Sequence, residues 1–215
     1  SQSGVQYRLT GGLSNPDDPI SLAPDKGTQG DRLLMKRELN RHQMIPKEIW
    51  SDSVRHFAST WEKAKEELEA VDFTDMIEAG LQSDAPPGYP MHLFGDEAQD
   101  WTKLEAAVFH RWAEVSCFTA TLAGDGDQAI FGFRGANPRI FLDNPPTSRN
   151  LLGQSYRVPQ EVHRLARSVI RRISDREDVP YAPTAVRGSV RVLGGARWRS
   201  PLGWAGEVIR KAAEL

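Results

Sequence analysis

Between Asp52 and Val71 the residues Val54, Phe57, Ala58, Trp61, Ala64, Leu68 and Val71 recur at spacings of three and four. That is the stripe of an amphipathic helix, with Phe57 and Trp61 turned to a core. Upstream, the mixed-charge segment from Asp31 to about Met44 also reads as a helix, interrupted by Pro46. Downstream, a short helix is predicted over Phe73 to Leu81 with Asp72 as its cap, before the breaker run SDAPPGYP. The first 30 residues are crowded with Gly, Pro, Ser and Asp, lack an apolar period, and read as loop.

After these helices the pattern changes to short apolar runs alternating with helical stripes. Met91 to Gly95 (MHLFG) suits a buried parallel strand that ends in carboxylates. Thr102 and Glu105 are spaced as a capping box for a helix carrying Leu104, Ala107, Val108, Trp112 and Val115 on one face. Cys117 to Ala123 is the next strand candidate and Asn150 to Ser155 another. Pro159 to Ile173 is expected to be a helix with Val162, Leu165, Ala166, Val169 and Ile173 inward. Ser189 to Leu193 and Trp204 to Leu215 add a further strand and helix. Strands alternating with helices argue for an α/β architecture with a mainly parallel sheet.

Composition narrows the class without naming it. The chain has 215 residues, 39% of them hydrophobic and 26% charged, which fits one large or two small globular domains. Its apolar runs span a few residues, against the roughly 20 needed to cross a membrane, and its first residues lack a signal-peptide pattern. A soluble, cytoplasmic protein is therefore expected. The single cysteine, Cys117, rules out an internal disulfide and a Cys-based zinc site, and the five histidines form no HExxH.

Net charge matters once it is divided. Residues 1 to 100 carry 10 Lys+Arg against 18 Asp+Glu, net −8; residues 101 to 215 carry 17 against 11, net +6. From Arg134 to Arg199 there are 13 arginines, no lysine and five acids. Arginine suits bidentate contact with phosphate oxygens, although a solvated basic face gives the same count.

Three segments carry candidate chemistry. Asp96-Glu97-Ala98-Gln99-Asp100 directly follows the MHLFG strand. Two carboxylates at a strand end can hold Mg²⁺ and orient an attacking water, the Walker B arrangement; a helix N-terminus favoured by its dipole is the plainer alternative. Next comes a Gly/Asp turn delivering Gln128, then Phe131, Phe133 and Arg134. In an extended segment residues i and i+2 share a face, so the two phenylalanines either stack bases or pack inward. Last, Tyr156-Arg157 stands where a strand runs into a helix, placed either to stack a nucleobase and reach a phosphate or to cap the helix or join a surface ion pair.

The order DExQD, GDxxQxIFxFRGA and a strand with YR resembles motifs II, III and IV of the UvrD/PcrA/Rep family of superfamily-one DNA helicases, across roughly residues 70 to 175. Asp72-Phe73-Thr74-Asp75-Met76-Ile77 is similar to that family's DFxDLL segment. The resemblance implies an ATP-driven translocase on single-stranded DNA or a duplex/single-strand junction, with ATP and Mg²⁺ bound between two RecA-like domains. It makes Asp96 the Mg²⁺ ligand, Glu97 the activator of the hydrolytic water and Gln128 the γ-phosphate sensor. Phe131 and Phe133 would stack on DNA bases, and Arg134 would tie the nucleotide cleft to that surface. Tyr156 would stack on adenine and Arg157 would serve as an arginine finger. Gln99 and Asp100 are expected to orient neighbours. A role in DNA repair or replication follows from the family, with repair or phage proteins as possible further partners.

The expected layout is a helical accessory insertion with a loop-rich start over residues 1–70, part of a first RecA-like ATPase domain over 71–148, and the start of a second over 149–215. Departures from the family pattern are Phe131 for Tyr, Ala129 for Ser, Trp101 for a small polar residue and Val158 for Ser or Thr. A larger one is that none of the 18 glycines is followed by lysine, so the phosphate-cradling GxxxxGK[ST] is missing. The reading is a middle portion of a longer helicase, inactive alone. The alternative is a non-enzymatic module that binds single-stranded DNA or is completed by a partner.

Overall fold

The computed structural model describes residues 28–116, 119–142, 146–173, 176 and 178–191. The chain divides into two compact units, Ser1–Thr147 and Ser148–Leu215.

The first unit opens with α1 (Gln29–His42), α2 (Asp52–Glu67) and α3 (Phe73–Gln82). Thr28 caps α1 through a reciprocal box with Asp31, and Asp72 caps α3 in the same way with Asp75, so each supplies partners for orphan N–H groups of a first turn. α1 packs on α2, with a core of Trp50, Val54 and Ala58 covered by Leu33 and Ile45. Phe57 is buried as expected. Trp61 is half-buried, its ring 6.0 Å from that of Phe57 and its Nε1 donating to Asp72 Oδ2 at 3.3 Å. The stripe expected to continue to Val71 stops early. α2 ends at Glu67 and Glu69 takes a left-handed φ of 50°, which turns the chain and leaves Leu68 and Val71 exposed.

Two short strands follow the third helix, β1 (His92–Gly95) and β2 (Thr119–Leu122), which pair in parallel with Leu93 opposite Ala120. The crossover between them is α4 (Lys103–Ser116), begun by the expected box: Thr102 N–H donates to Glu105 Oε2 at 2.7 Å and Glu105 N–H to Thr102 Oγ1 at 3.3 Å. α4 contacts both α3 and α1. Its buried band is Leu104, Ala106, Val108 and Phe109, rotated from the expected face, so Val115 is exposed. β1 is not the buried strand that its composition suggests: Phe94 is 75% exposed. Two strands are the whole sheet among the described residues, and they leave much of its faces open. A short helix, α5 (Pro138–Leu142), closes this part of the unit.

In the second unit α6 (Gln160–Ile170) forms as expected. The strand predicted at 150–155 does not. Gly153 and Ser155 exchange bonds with Ala182 only, at 2.6 and 2.8 Å, giving an isolated bridge between Gln154 and Ala182. Val162, Leu165, Ala166, Val169 and Ile173, expected inward, are exposed. The bonds from segment 184–188 reach only the helix's first turn, at Gln160 and Glu161. Residues 189–191 form no strand. The remainder of that predicted strand, the helix at 204–215, residues 1–27 and Cys117–Phe118 lie outside the described residues. Among those described, no helix is long and apolar enough to cross a membrane.

Candidate functional site

β1 ends on a glycine because nothing larger fits. A Cβ on Gly95 would run into the Trp101 indole, 2.7 Å from Cζ2, and would lie 2.8 Å from Leu122 Cδ2. Trp101 thus lies across the strand end, its Nε1 donating to the Asp96 carbonyl at 3.1 Å and its ring 5.2 Å from Phe109. Immediately afterwards Glu97 adopts φ 51°, ψ 38°, a left-handed conformation that costs a non-glycine residue about 1–3 kcal/mol and persists only where its surroundings fix it. Three bonds fix it here. Asp96 Oδ1 accepts the Glu97 N–H at 2.9 Å, Ala98 N–H donates to the Ala123 carbonyl at 3.0 Å, and Gln99 Nε2 donates to Glu97 Oε2 at 2.6 Å. Asp96 and Glu97 are exposed while Gln99 is buried, so the accessible Glu97 carboxylate stands on a buried amide with that of Asp96 beside it.

The loop after β2 is held from the same side. Gln99 Oε1 accepts the Asp125 N–H at 2.9 Å. Asp125 then organises its own turn, Oδ1 accepting from Asp127 N–H at 3.0 Å and Oδ2 from Gln128 Nε2 at 2.6 Å. Asp100 Oδ1 accepts weakly from Ile130 N–H at 3.4 Å. Asp96, Glu97 and Gln128 therefore sit on loops that leave adjacent parallel strands at the same end.

Phe131 and Phe133 are not in an extended segment. Gly132–Arg134 is a turn of 3₁₀ helix closed by Gly135 at φ 94°, and the rings stay neighbours by a different geometry, 6.0 Å apart and tilted by 51°. Phe133 is exposed, and the Arg134 guanidinium lies 5.7 Å over the Phe131 ring, a cation–π distance. Tyr156 and Arg157 belong to the second unit. Both are exposed, and the buried Ser155 hydroxyl accepts the N–H groups of Arg157 at 3.2 Å and Val158 at 2.9 Å, fixing the entry to α6.

A feature that pattern reading passed over lies behind the site. Arg37 and Arg41, one turn apart on α1, have side chains only 1% and 4% exposed. Arg37 pairs with Glu38, Glu62 and Asp72. Arg41 bonds Glu78 at 2.9 and 2.8 Å, Asp72 at 3.0 Å and Asp75 at 2.6 Å. Lys65 reaches Asp72 at 3.1 Å and Asp75 at 2.5 Å. Burial alone would raise the Asp72 carboxyl, but the Asp75 N–H, Arg41 and Lys65 hold it well below the usual range. Asp75 and Glu62 are depressed likewise against their burial. Lys65 and Arg41 are raised by their acids despite burial. The signal in the sequence was the Arg-x-x-x-Arg spacing opposite the acidic DFTD segment.

His42 joins this cluster to the site. Its Nε2 lies 3.4 Å from Thr74 Oγ1 and its Nδ1 3.3 Å from Thr102 Oγ1. Thr74 donates its hydroxyl to Glu38 at 2.6 Å, which leaves its oxygen to accept from Nε2, and a neutral ring would then take the Thr102 hydroxyl at Nδ1. Burial lowers its pKa, with Glu105 and Glu38 opposing and Arg134 and Arg41 assisting. Among the described residues no group of three or more His, Cys, Asp or Glu is gathered for a metal.

Against known proteins, residues 30–147 match the UvrD/REP helicase N-terminal domain. The chain is 24% identical over 182 residues to an ATP-dependent helicase/nuclease subunit from Ligilactobacillus salivarius, covering 75% of this chain and 14% of that protein. It is 28% identical over 139 residues to the ATP-dependent DNA helicase PcrA of Leuconostoc citreum, covering 59% of this chain and 18% of that protein. The chain thus spans under a fifth of the length of these relatives. Since the domain match takes in more than half of its 215 residues, the chain belongs to the UvrD/REP helicase family.

Proposed function

We propose that this chain carries the water-activating and phosphate-sensing residues of an ATP-dependent DNA helicase, together with a base-stacking surface for single-stranded DNA. The fold reading is a RecA-like domain preceded by a helical insertion over residues 1–70, with a second RecA-like domain beginning near residue 149. One observation carries the proposal. The same ends of two paired parallel strands deliver Asp96-Glu97 and Asp125–Gln128, and open parallel sheets bind ligands at their carboxyl edge.

Mg²⁺ takes one or two carboxylates and completes its shell with water and phosphate oxygens. The exposed Asp96 carboxylate fits that demand, and the ion would supply charge neutralisation on the phosphates. Glu97 orients the attacking water and accepts its proton. Gln128 senses the terminal phosphate, Arg157 offsets charge on the transferred phosphoryl group, and Tyr156 stacks on adenine. Arg134 links that chemistry to Phe131 and Phe133, which stack on bases. The triphosphate cradle comes from outside these 215 residues, since no glycine here precedes lysine.

The test has two arms. The chain alone should hydrolyse ATP negligibly, and Glu97-dependent turnover by it would overturn the missing cradle. In a polypeptide that also carries the cradle, Glu97→Gln should lower turnover by about 10²- to 10⁴-fold with ATP still bound. Phe131→Ala with Phe133→Ala should weaken oligo-dT binding, at about 1–3 kcal/mol per lost stack; unchanged affinity refutes the stacking assignment.

A further inference from the structure

We propose that Gln99 is a positioning residue that couples the Asp125–Gln128 turn to the Glu97 carboxylate, so that a shift in the phosphate-sensing loop moves the water-orienting group. The inference rests on the helicase reading for its consequence and on geometry for its existence.

Gln99 is among the most completely buried large side chains, at 1% exposure. Its amide bonds run to the two candidate loops. Nε2 donates to Glu97 Oε2 at 2.6 Å and, weakly, to Asp100 Oδ2 at 3.4 Å, while Oε1 accepts from Asp125 N–H at 2.9 Å. The partners assign the amide's orientation, because a flipped amide would set its carbonyl against two carboxylates and its NH₂ against an N–H. Leu, Met or Glu at this position could not serve both sides, since none combines a donor and an acceptor on one planar group.

Packing fixes the amide as firmly as bonding does. A Cβ on Gly124 would lie 2.6 Å from Gln99 Oε1 and 3.3 Å from the Ala98 and Gln99 nitrogens, so the backbone after β2 rests directly on the side chain. Beyond Asp125 the chain of bonds continues to Gln128 Nε2 at 2.6 Å. The result is a contiguous relay, Gln128 to Asp125 to Gln99 to Glu97. At its far end, Glu97 has a left-handed backbone with few alternative conformations, so displacement of the amide is passed to the carboxylate. Coupling of this kind needs a physical linkage between two sites, and here each link is a named hydrogen bond.

The experiment begins with the ¹⁵N-labelled chain. Gln128→Ala removes the outer bond, and the relay expects the Glu97 amide resonance to shift. In a Gln99→Leu background the same Gln128→Ala change should leave Glu97 unmoved. An equal Glu97 response with and without Gln99 overturns the coupling. Should Gln99→Leu fail to fold by circular dichroism, Gly124→Ala replaces it, because it displaces the amide without altering its chemistry. In the cradle-bearing polypeptide, Gln99→Leu should lower DNA-stimulated kcat by about 10- to 100-fold, the usual range for residues supporting a ligating or reacting group, with KM for ATP unchanged. A buried residue with a merely structural role would change melting and leave the ratio of DNA-stimulated to basal turnover alone. Absence of any ATPase in the unsubstituted polypeptide would refute the helicase reading, and the resonance measurement would still decide the relay.

Discussion

Arg41→Met tests whether the buried charges on α1 hold the first three helices together. Methionine matches arginine in helix propensity and keeps an unbranched apolar stem, so the change chiefly removes the guanidinium. The substitution removes bonds to Glu78, Asp72 and Asp75, and breaking one side of a buried ion pair typically costs about 3–5 kcal/mol because the other side is left uncompensated. Two features reduce that figure here. Asp72, Asp75 and Glu78 are 23%, 21% and 45% exposed, so water reaches them. Lys65 and Arg37 also still face Asp72, at 3.1 and 3.3 Å. A loss of about 2–3 kcal/mol is expected, at or just below the lower end of the fully buried range. At roughly 2–4 °C per kcal/mol for a chain of this size, the first unit should melt about 4–12 °C lower. Hydrogen exchange at α1 and α3 amides through a urea series reads the loss locally. A loss below about 1 kcal/mol, the value of an exposed pair, would refute the claim that this network is structurally decisive.

Two further outcomes follow from the packing and the charges. Gly95→Ala should destabilise the first unit by about 1–3 kcal/mol through overpacking, because its Cβ meets Trp101 and lies 2.8 Å from Leu122 Cδ2; unchanged melting and Trp101 indole resonance would show that the strand end has slack. On acidification, the depressed Asp72, Asp75 and Glu62 contribute stability that is complete above their unfolded values near 4 and lost as pH falls through their folded values. His42 adds an earlier loss: its lowered pKa means the unfolded chain takes up the proton first, so stability declines below about 6.5, and His42→Gln should flatten that part of a pH–melting profile. A profile flat from pH 7 to about 5 in the unsubstituted chain would contradict a half-buried imidazole that is neutral in the folded state.

The sequence made visible those features that repeat or cap. The stripe around Phe57, the Asp72 cap, the Thr102 box and the alternation of β1, α4 and β2 follow from local rules, and the structure contains them. It misled where the answer depended on neighbours. MHLFG is apolar enough for a buried strand, yet burial needs covering elements, and Phe94 stays open. Residues 150–155 have strand composition, but among the described residues their backbone pairing is a single bridge to Ala182. For the site, residue types and order pointed to Asp96, Glu97 and Gln128, while the amide bridge between their loops is a tertiary fact that no spacing encodes. The phenylalanines show the same limit: their adjacency was anticipated from an extended backbone, and a 3₁₀ turn produces it instead.

Stability and candidate chemistry are carried by different groups in the first unit, which makes their independence testable. The ion cluster and the loop relay have no member in common: Arg41 bonds Glu78, Asp72 and Asp75, whereas Gln99 bonds Glu97, Asp100 and Asp125. Their link is indirect, through His42 between Thr74 on α3 and Thr102 at the start of α4. Such a joint transmits position poorly, since its two contacts are long, the Thr74 hydroxyl has a stronger commitment to Glu38 at 2.6 Å, and the Thr102 hydroxyl is shared with the Glu105 N–H at 3.3 Å. Distant substitutions without shared partners add within about 0.3–0.5 kcal/mol. Arg41→Met combined with Gln99→Leu should therefore destabilise by the sum of the two single effects, and Arg41→Met should leave the Glu97 amide resonance in place. An interaction energy above about 1 kcal/mol, well outside the additive range, would mean that His42 conducts between cluster and site, and the two systems would have to be treated as one.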